Sequence, residues 1–162
     1  MLYVSCRTMY YTSWSDSQRR ASVLKSGTDG SDPSILVTNL KCSSGLAIDF
    51  SSSRLYWADC KANKTQSSWL HGGGVVTVAE LPSGPYGITL LDQRLYWSLP
   101  DEKALQSSNK AGSDNRTVYE GTARIRHLVA PDWTVPRKRT NPCREKACPG
   151  VCVLTESSYK CL

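Results

Sequence analysis

Apolar and polar residues alternate along the best-preserved stretch of the chain with the two-residue period of a β-strand. Leu46, Ile48 and Phe50 alternate with Ala47 and Asp49, and a serine turn follows them. The runs that continue this pattern predict four short strands, over 46–50, 55–59, 65–70 and 75–79. Because the links between them have hairpin length, the strands are predicted to pair in sequence order as an antiparallel sheet.

The same unit recurs along the chain. The segment Arg54-Leu55-Tyr56-Trp57 returns unchanged as Arg94-Leu95-Tyr96-Trp97, and each copy follows an apolar run that opens with a glycine, Gly45 or Gly87. A diverged third copy, Met9–Trp14, lies upstream and is predicted to lack its first strand, while 125–130 is a candidate to open one more unit. Four antiparallel strands repeated about every forty residues are typical of propeller blades.

The number of units predicts an incomplete propeller. Two whole blades and parts of two others fall short of the roughly four to eight blades with which propellers close. We therefore expect an all-β fold, and a chain that is part of a longer protein. Neither a signal peptide nor an apolar run long enough to span a membrane is found in the sequence.

The cysteines favour an oxidising compartment. Four of the seven fall in the last twenty residues, at Cys143, Cys148, Cys152 and Cys161. Such density predicts a disulfide framework, and the spacing alone permits three pairings of these four. A zinc site is disfavoured because no C-x-x-C pair and no nearby histidine is present. Of Cys6, Cys42 and Cys60, two are expected to pair and one to remain free, in an order that the sequence leaves open.

Two sequons and the charge balance agree with a secreted chain. Asn63-Lys64-Thr65 and Asn115-Arg116-Thr117 are predicted glycosylation sites. The formal net charge of +6 favours acidic partners, and the cluster at 137–139 is interpreted as a solvated linker. Nucleic-acid binding is disfavoured because basic residues and aromatic residues do not interleave.

These motifs together resemble a known family. The strand Tyr56-Trp57-Ala58-Asp59, its Gly45–Asp49 partner and the cysteine-rich tail resemble the YWTD propeller and epidermal-growth-factor-like pair of low-density lipoprotein receptor family proteins. The segments 29–31, 36–40 and 141–143 resemble further parts of the same pair. The resemblance covers nearly the whole chain and implies a partial propeller over 1–136, followed by a linker and an incomplete growth-factor-like module over 137–162.

The repeat residues receive structural roles. Alternation places Tyr56 on one face of its sheet and Trp57 on the other, so each is expected to fill the space between neighbouring blades, as are Tyr96 and Trp97. The resemblance implies that Asp59 hydrogen-bonds to an adjacent blade. Its counterparts are predicted to be Ser13 and Leu99, which lose that contact.

The resemblance also implies how the tail is cross-linked. It implies the bonds Cys143–Cys152 and Cys148–Cys161, in a module that stops at Leu162 before its fifth and sixth cysteines. The acidic pattern of the calcium-binding subtype does not precede Cys143, so no calcium site is expected.

The functional prediction is an extracellular protein-binding module of a low-density lipoprotein receptor-related cell-surface receptor, of the endocytic or Wnt co-receptor type. The alternatives are a basement-membrane structural protein with the same propeller and a propeller hydrolase. The hydrolase is disfavoured because the inner strands supply only Asp49 and Asp92 as carboxylates. We expect no cofactor and no small-molecule substrate.

The ligand-binding residues are unknown from the sequence. Loop residues that are candidates to touch a ligand are Trp69, His71 and Tyr86. A histidine that charges in acidic compartments is a further hypothesis, for His71 or His127, against the simpler interpretation that both are surface or packing residues.

Overall fold

The computed structural model describes residues 2–5, 8–15, 20–130, 152–154 and 159–161, and these residues form strands and turns without any helix. Twelve of the strands build three four-stranded antiparallel sheets, each in sequence order, which we name the first, second and third blades. The first blade comprises β1(Leu2–Ser5), β2(Thr8–Ser15), β3(Arg20–Gly27) and β4(Ser34–Leu40). The second comprises β5(Leu46–Asp49), β6(Arg54–Asp59), β7(Lys64–Trp69) and β8(Val76–Glu80). The third comprises β9(Ile88–Leu91), β10(Arg94–Leu99), β11(Ala104–Asn109) and β12(Arg116–Glu120). The all-β incomplete propeller is therefore confirmed.

The prediction that the upstream unit lacks its first strand is wrong. The four residues of β1 pair with β2, from Leu2 opposite Tyr11 to Ser5 opposite Thr8. A strand this short shows too few alternations to be seen in the sequence, and it lacks the glycine that opens the other two units. The described part of the chain thus contains three complete blades.

The segment 125–130 follows the course of a first strand without pairing as one. A β-carbon added to Gly87 would lie 2.6 Å from the Arg126 carbonyl oxygen, just as one added to Gly45 would lie 2.7 Å from the Tyr86 carbonyl oxygen. The chain therefore leaves the third blade along the same path by which it enters that blade. Within 121–130, however, no residue pairs as a strand.

Two apolar cores lie between the blades, and the repeated tetrapeptide supplies both. Leu55 and Trp57 are fully buried in the core between the first and second blades. Tyr56 faces the other way and packs with Trp97 in the core between the second and third blades. The strand period places consecutive side chains on opposite faces, so one short segment joins its blade to both neighbours.

The turns divide between two ends of the blades. In a sheet of consecutive antiparallel strands, the turns after the first and third strands lie at one end, and those after the second and fourth strands lie at the other. We name the second end the cysteine face, after the disulfide described below, and the first the opposite face. In the second and third blades the cysteine face comprises 60–63, 81–87, 100–103 and 121–126, and it includes the linker 41–45 that enters the second blade.

Strand register supports the repeat alignment. The turns after the third strands are equivalent, because the backbone N–H groups of Gly27, Trp69 and Asn109 each donate to the carbonyl oxygen four residues later. These three residues lie opposite Thr8, Arg54 and Arg94. The counterparts of Asp59, five residues after Arg54, are therefore Ser13 and Leu99, as predicted.

A separate two-stranded hairpin occupies the tail. It comprises β13(Cys152–Leu154) and β14(Tyr159–Cys161), with Cys152 opposite Cys161. Cys143 and Cys148 lie outside the described residues, as does the predicted domain boundary at 136–137. The pairings Cys143–Cys152 and Cys148–Cys161 thus remain predictions.

Candidate functional site

The cysteine face is cross-linked where the chain enters the second blade. Cys42, in the linker after β4, forms a disulfide with Cys60, in the turn after β6, with Cα atoms 5.3 Å apart. This resolves which two of the three upstream cysteines pair. Because the bond joins a linker to a turn, it fixes two irregular segments that strand pairing alone leaves free.

The Asp59 carboxylate stabilises the same connection. It accepts hydrogen bonds from the backbone N–H groups of Lys41 at 3.2 Å, Cys42 at 2.9 Å and Ala62 at 3.1 Å. Lys41 directly follows the last strand of the first blade, so the contact links two blades in the way that the family resemblance implies. Asp59 is 3% exposed, and its burial is tolerated because the carboxylate is hydrogen-bonded by these donors.

Close approach of the linkers explains the two repeated glycines. A β-carbon on Gly45 would meet the backbone of the next linker, and one on Gly87 would meet Arg126. Ser44 extends this contact, because its hydroxyl lies 2.9 Å from the Tyr86 carbonyl oxygen and donates to it. The linkers of successive blades are therefore stacked against one another on the cysteine face.

A groove opens on the cysteine face between the second and third blades. It has a volume of about 490 Å³. Its walls are formed by the turns after the second strands and by the linkers after the fourth strands, including Asn63, Pro82, Tyr86, Asp101, Arg124 and Arg126. Of the three loop residues that were candidates to touch a ligand, only Tyr86 lies in this groove.

Two arginines give the groove its charge. Arg126 lies over the Tyr86 ring, with its guanidinium carbon 5.5 Å from the ring centroid, and His127 packs edge-on against the same ring at 6.0 Å. Arg124 pairs with Asp101 across 3.4 Å, and both side chains are mostly exposed. The groove thus carries two arginines and one carboxylate beside an aromatic ring and prolines, and this excess of positive charge suits an acidic side chain carried on an apolar segment.

The other two candidate residues lie on the opposite face. The rings of Trp69 and His71 are parallel to within 5° at a centroid distance of 6.3 Å. The Arg54 guanidinium covers the Trp69 ring at 4.6 Å. Trp69 and His71 therefore do not share a surface with Tyr86.

Asp49 does not stand as a catalytic carboxylate. It is buried, and Lys110 of the third blade pairs with it at 2.6 Å. Burial alone would raise the pKa of the Asp49 carboxyl, but hydrogen bonds from Lys110, Ser51 and Ser52 outweigh burial and hold it well below its ordinary value. This carboxylate stays ionised and fixes one blade to the next. Asp92 lies exposed in a turn.

Metal ligands are not grouped in the described part of the chain. No cluster of three or more His, Cys, Asp or Glu side chains is found there. The described residues also include no helix of the length and apolarity that crossing a bilayer requires.

The two sequons lie on different ends of the blades. Asn63 is exposed in the turn after β6 and borders the groove on the cysteine face. Asn115 is exposed in the turn before β12 on the opposite face. Both acceptor residues are therefore exposed in the folded chain.

Sequence reasoning missed a repeated polar contact. Arg54 donates a hydrogen bond to the Ser67 hydroxyl at 2.7 Å, and Arg94 donates one to the Ser107 hydroxyl at 3.1 Å. The sequence contained the information, since Gln-Ser-Ser occurs at 66–68 and again at 106–108. The repeated arginine and the repeated serine thus form one structural unit.

Comparison with known proteins finds relatives among receptors of the low-density lipoprotein receptor family. No protein-family model matches the chain. It is 29% identical over 154 residues to the vitellogenin receptor Yl of Drosophila melanogaster. This alignment covers 91% of this chain and 7% of that protein. It is 31% identical over 119 residues to low-density lipoprotein receptor-related protein 4 of Homo sapiens, covering 72% of this chain and 6% of that protein. The chain spans 6–8% of the length of the first curated relatives that it matches.

A solved structure matches the arrangement of blades. In a crystal structure of a nidogen/laminin complex, one chain aligns with a TM-score of 0.70 at 18% identity, over 78% of this chain and 50% of that one. A gluconolactonase from Xanthomonas campestris aligns with a TM-score of 0.65 at 16% identity, which shows a shared fold alone. The blades and their repeated motif define the protein as a partial YWTD-type β-propeller. With the receptor relatives beside this fold, the chain belongs to the low-density lipoprotein receptor-related family.

Proposed function

We propose that the chain is an extracellular protein-binding module of a low-density lipoprotein receptor-related cell-surface receptor, of the endocytic or the Wnt co-receptor type. Its binding surface is the cysteine face. The observation that carries this proposal is the groove between the second and third blades, whose walls belong to linkers held by the Cys42–Cys60 disulfide and by Asp59.

The rigidity of these walls favours binding. Loops that are ordered before a partner arrives lose less conformational entropy on association. The groove also carries charge, since Arg124 and Arg126 line it. Cationic groups on a concave surface attract acidic partners and steer their approach.

The relatives supply a probe for the test. Purified vitellogenin is the ligand named for two of the receptors. The full chain, immobilised in its disulfide-bonded form, is expected to bind vitellogenin. The variant Arg124→Glu/Arg126→Glu is expected to weaken binding at least tenfold, because it reverses both cations of the groove.

A matched control separates the groove from net charge. Arg20→Glu/Arg116→Glu also reverses two exposed cations, on strands outside the groove. It should leave vitellogenin binding within about twofold, in keeping with the small effect of most surface substitutions. Failure of the chain to bind vitellogenin would reject an endocytic role of this kind. Equal losses in the two variants would reject the groove as the binding surface.

The second candidate is a basement-membrane structural protein. The structural match to the nidogen/laminin complex favours it. Laminin in place of vitellogenin tests it in the same assay, and saturable binding of laminin alone would support this alternative. The third candidate, a propeller hydrolase, predicts esterase or lactonase turnover in the presence of calcium, and we propose that the chain shows none.

A further inference from the structure

The sequon at Asn63 contains a residue that the fold does not explain. Thr65, in β7, lies opposite Ala58 of the core between the second and third blades and is completely buried, at 0% exposure. Its Oγ1 atom finds no hydrogen-bond partner among the described residues. A buried hydroxyl without a partner is destabilising relative to a satisfied one, so this side chain lowers the stability of the blade.

The repeat shows what the position requires. Thr65 pairs with Ala58, and the matching residues of the other blades are Val23, opposite Thr12, and Leu105, opposite Ser98. Both counterparts are apolar. The blade architecture therefore accepts an apolar side chain at this position, and valine would keep the shape of threonine without its hydroxyl.

The backbone conformation of Asn63 does not by itself indicate a glycosylation site. It adopts a left-handed conformation with φ of 54°, which asparagine tolerates better than most residues. Lys103, its counterpart in the third blade, adopts the same conformation with φ of 52°. The turn is therefore compatible with an asparagine but does not require one. The unexplained residue is the threonine two positions later.

We propose that Asn63 carries an N-linked glycan, and that the glycan stands at the mouth of the groove on the cysteine face. This inference rests on the extracellular location proposed above. The Thr65 hydroxyl is used before folding, when an oligosaccharyltransferase reads the extended sequon, and it is then buried in the core. The hydroxyl has no partner in the folded blade because its role is completed before the blade folds.

The modification is a glycosyl transfer. The Asn63 side-chain nitrogen forms a bond to the anomeric carbon of an oligosaccharide carried on a polyisoprenyl diphosphate. The bond between that carbon and the phosphate oxygen breaks, the polyisoprenyl diphosphate leaves with the electron pair, and the amide nitrogen loses one proton to a base of the transferase. No oxidant or reductant takes part.

The second sequon provides a matched control. Thr117 is exposed in β12, and its counterpart in the second blade is also a threonine, Thr77, as the pairs Gln106–Thr117 and Gln66–Thr77 show. Its hydroxyl is therefore an ordinary surface feature of the repeat. Replacing Thr117 removes a sequon without removing a buried unpaired group.

The test combines occupancy with stability. The full chain is secreted from insect cells behind a cleavable signal peptide, and glycopeptides are identified by mass spectrometry. We expect a glycan at Asn63 in the wild type and complete loss of it in Thr65→Val. When both proteins are made without glycans in bacteria, Thr65→Val is expected to raise Tm by roughly 3 °C, because removal of about 1 kcal/mol of unfavourable burial shifts Tm by a few degrees. Thr117→Val should leave Tm unchanged within about one degree, as expected for a surface site.

Position at the groove is measured separately. In an Asn115→Gln background, enzymatic removal of the remaining glycan is expected to increase labelling of Arg124 and Arg126 by phenylglyoxal at least twofold. Unchanged labelling would overturn the placement at the groove.

The outcomes distinguish this inference from the proposed function. A secreted, disulfide-bonded chain that binds vitellogenin but has an unmodified Asn63 overturns only the inference. A lower Tm in Thr65→Val also overturns it, since the hydroxyl would then have a structural role. A chain that fails to leave the cells overturns both.

Discussion

The second and third blades share a tetrapeptide but stabilise the end of that strand in different ways. In the second blade Asp59 accepts three backbone hydrogen bonds and Cys60 is cross-linked to Cys42. In the third blade Leu99 takes the place of Asp59 and is fully buried, and Pro100 follows it. One position thus holds a hydrogen-bonded carboxylate in one copy and a packed apolar side chain in the other.

This difference separates the packing between blades from the stabilisation of the turn that follows the second strand. Trp57 and Trp97 are fully buried in both copies, so packing between blades tolerates little change. The connections tolerate more, because either polar capping or apolar burial satisfies the same turn. The hydrogen-bonded carboxylate of Asp59 requires its backbone donors, since a buried carboxylate is stable only when it is hydrogen-bonded. The second blade is therefore the more sensitive of the two to single substitutions.

Removal of the disulfide should have the largest effect on this comparison. The bond closes a loop with a sequence separation of 18 residues. A cross-link of roughly this loop length contributes about 3 kcal/mol to the free energy of unfolding. We expect Cys42→Ser/Cys60→Ser to lose about that much in denaturant unfolding at neutral pH.

The reduced proteins provide the control for this experiment. After reduction and alkylation, wild type and variant differ little, so their unfolding midpoints should coincide. A double variant as stable as the oxidised wild type would show that Asp59 alone holds the connection.

The ion pair between the second and third blades should have the next largest effect. Lys110→Ala leaves the buried Asp49 carboxylate without its cation. Loss of one partner from a fully buried pair costs about 3–5 kcal/mol, and we expect about 2 kcal/mol here because Lys110 is partly exposed. Lys110→Arg keeps the charge and should recover most of the loss. An unchanged free energy of unfolding in Lys110→Ala would show that Ser51 and Ser52 suffice.

The pH dependence of this pair has a definite sign. The pKa of Asp49 is lower in the folded chain than in the unfolded chain. The stabilisation is therefore complete above the ordinary aspartate value of about 4 and is lost as the pH falls through the lower folded value. The difference between wild type and Lys110→Ala should consequently be constant near neutral pH and shrink below about pH 4.

The sequence predicted the blades well where the repeat was intact. Alternation and the repeated Arg-Leu-Tyr-Trp placed the strands of the second and third blades, and they placed Tyr56 and Trp57 on opposite faces. The first blade was harder. β1 is too short to show a period, although the diverged second strand still gave Ser13 as the counterpart of Asp59, in agreement with the strand register.

The candidate site was less accessible to prediction. The groove depends on how linkers from two blades approach each other, and that approach is fixed by strand pairing far along the chain. Trp69, His71 and Tyr86 looked alike as exposed loop residues, yet two of them lie on the opposite face. The Cys42–Cys60 pairing was also open, because three cysteines with no shared pattern allow several choices.

The repeated arginines should give the smallest effect and the sharpest contrast between the two blades. Arg54 binds Ser67 and covers Trp69, whereas Arg94 binds Ser107 and pairs with Asp114 at 2.7 Å. We expect Arg54→Gln and Arg94→Gln each to lower the free energy of unfolding by about 1 kcal/mol, the usual value of one such contact. The loss in Arg94→Gln should decrease with added salt, since Asp114 is exposed and an exposed ion pair is screened.

The two arginines also differ in a spectroscopic readout. Arg54→Gln uncovers one side of the Trp69 ring and should shift the tryptophan emission, whereas Arg94→Gln leaves that ring untouched. Salt should matter less for Arg54, because part of its contact is with the aromatic face and not with an opposite charge. If both variants respond equally to salt, the hydrogen bond to the buried serine is the dominant contact in each blade. The repeat would then be conserved between the two copies in its energetics as well as in its sequence.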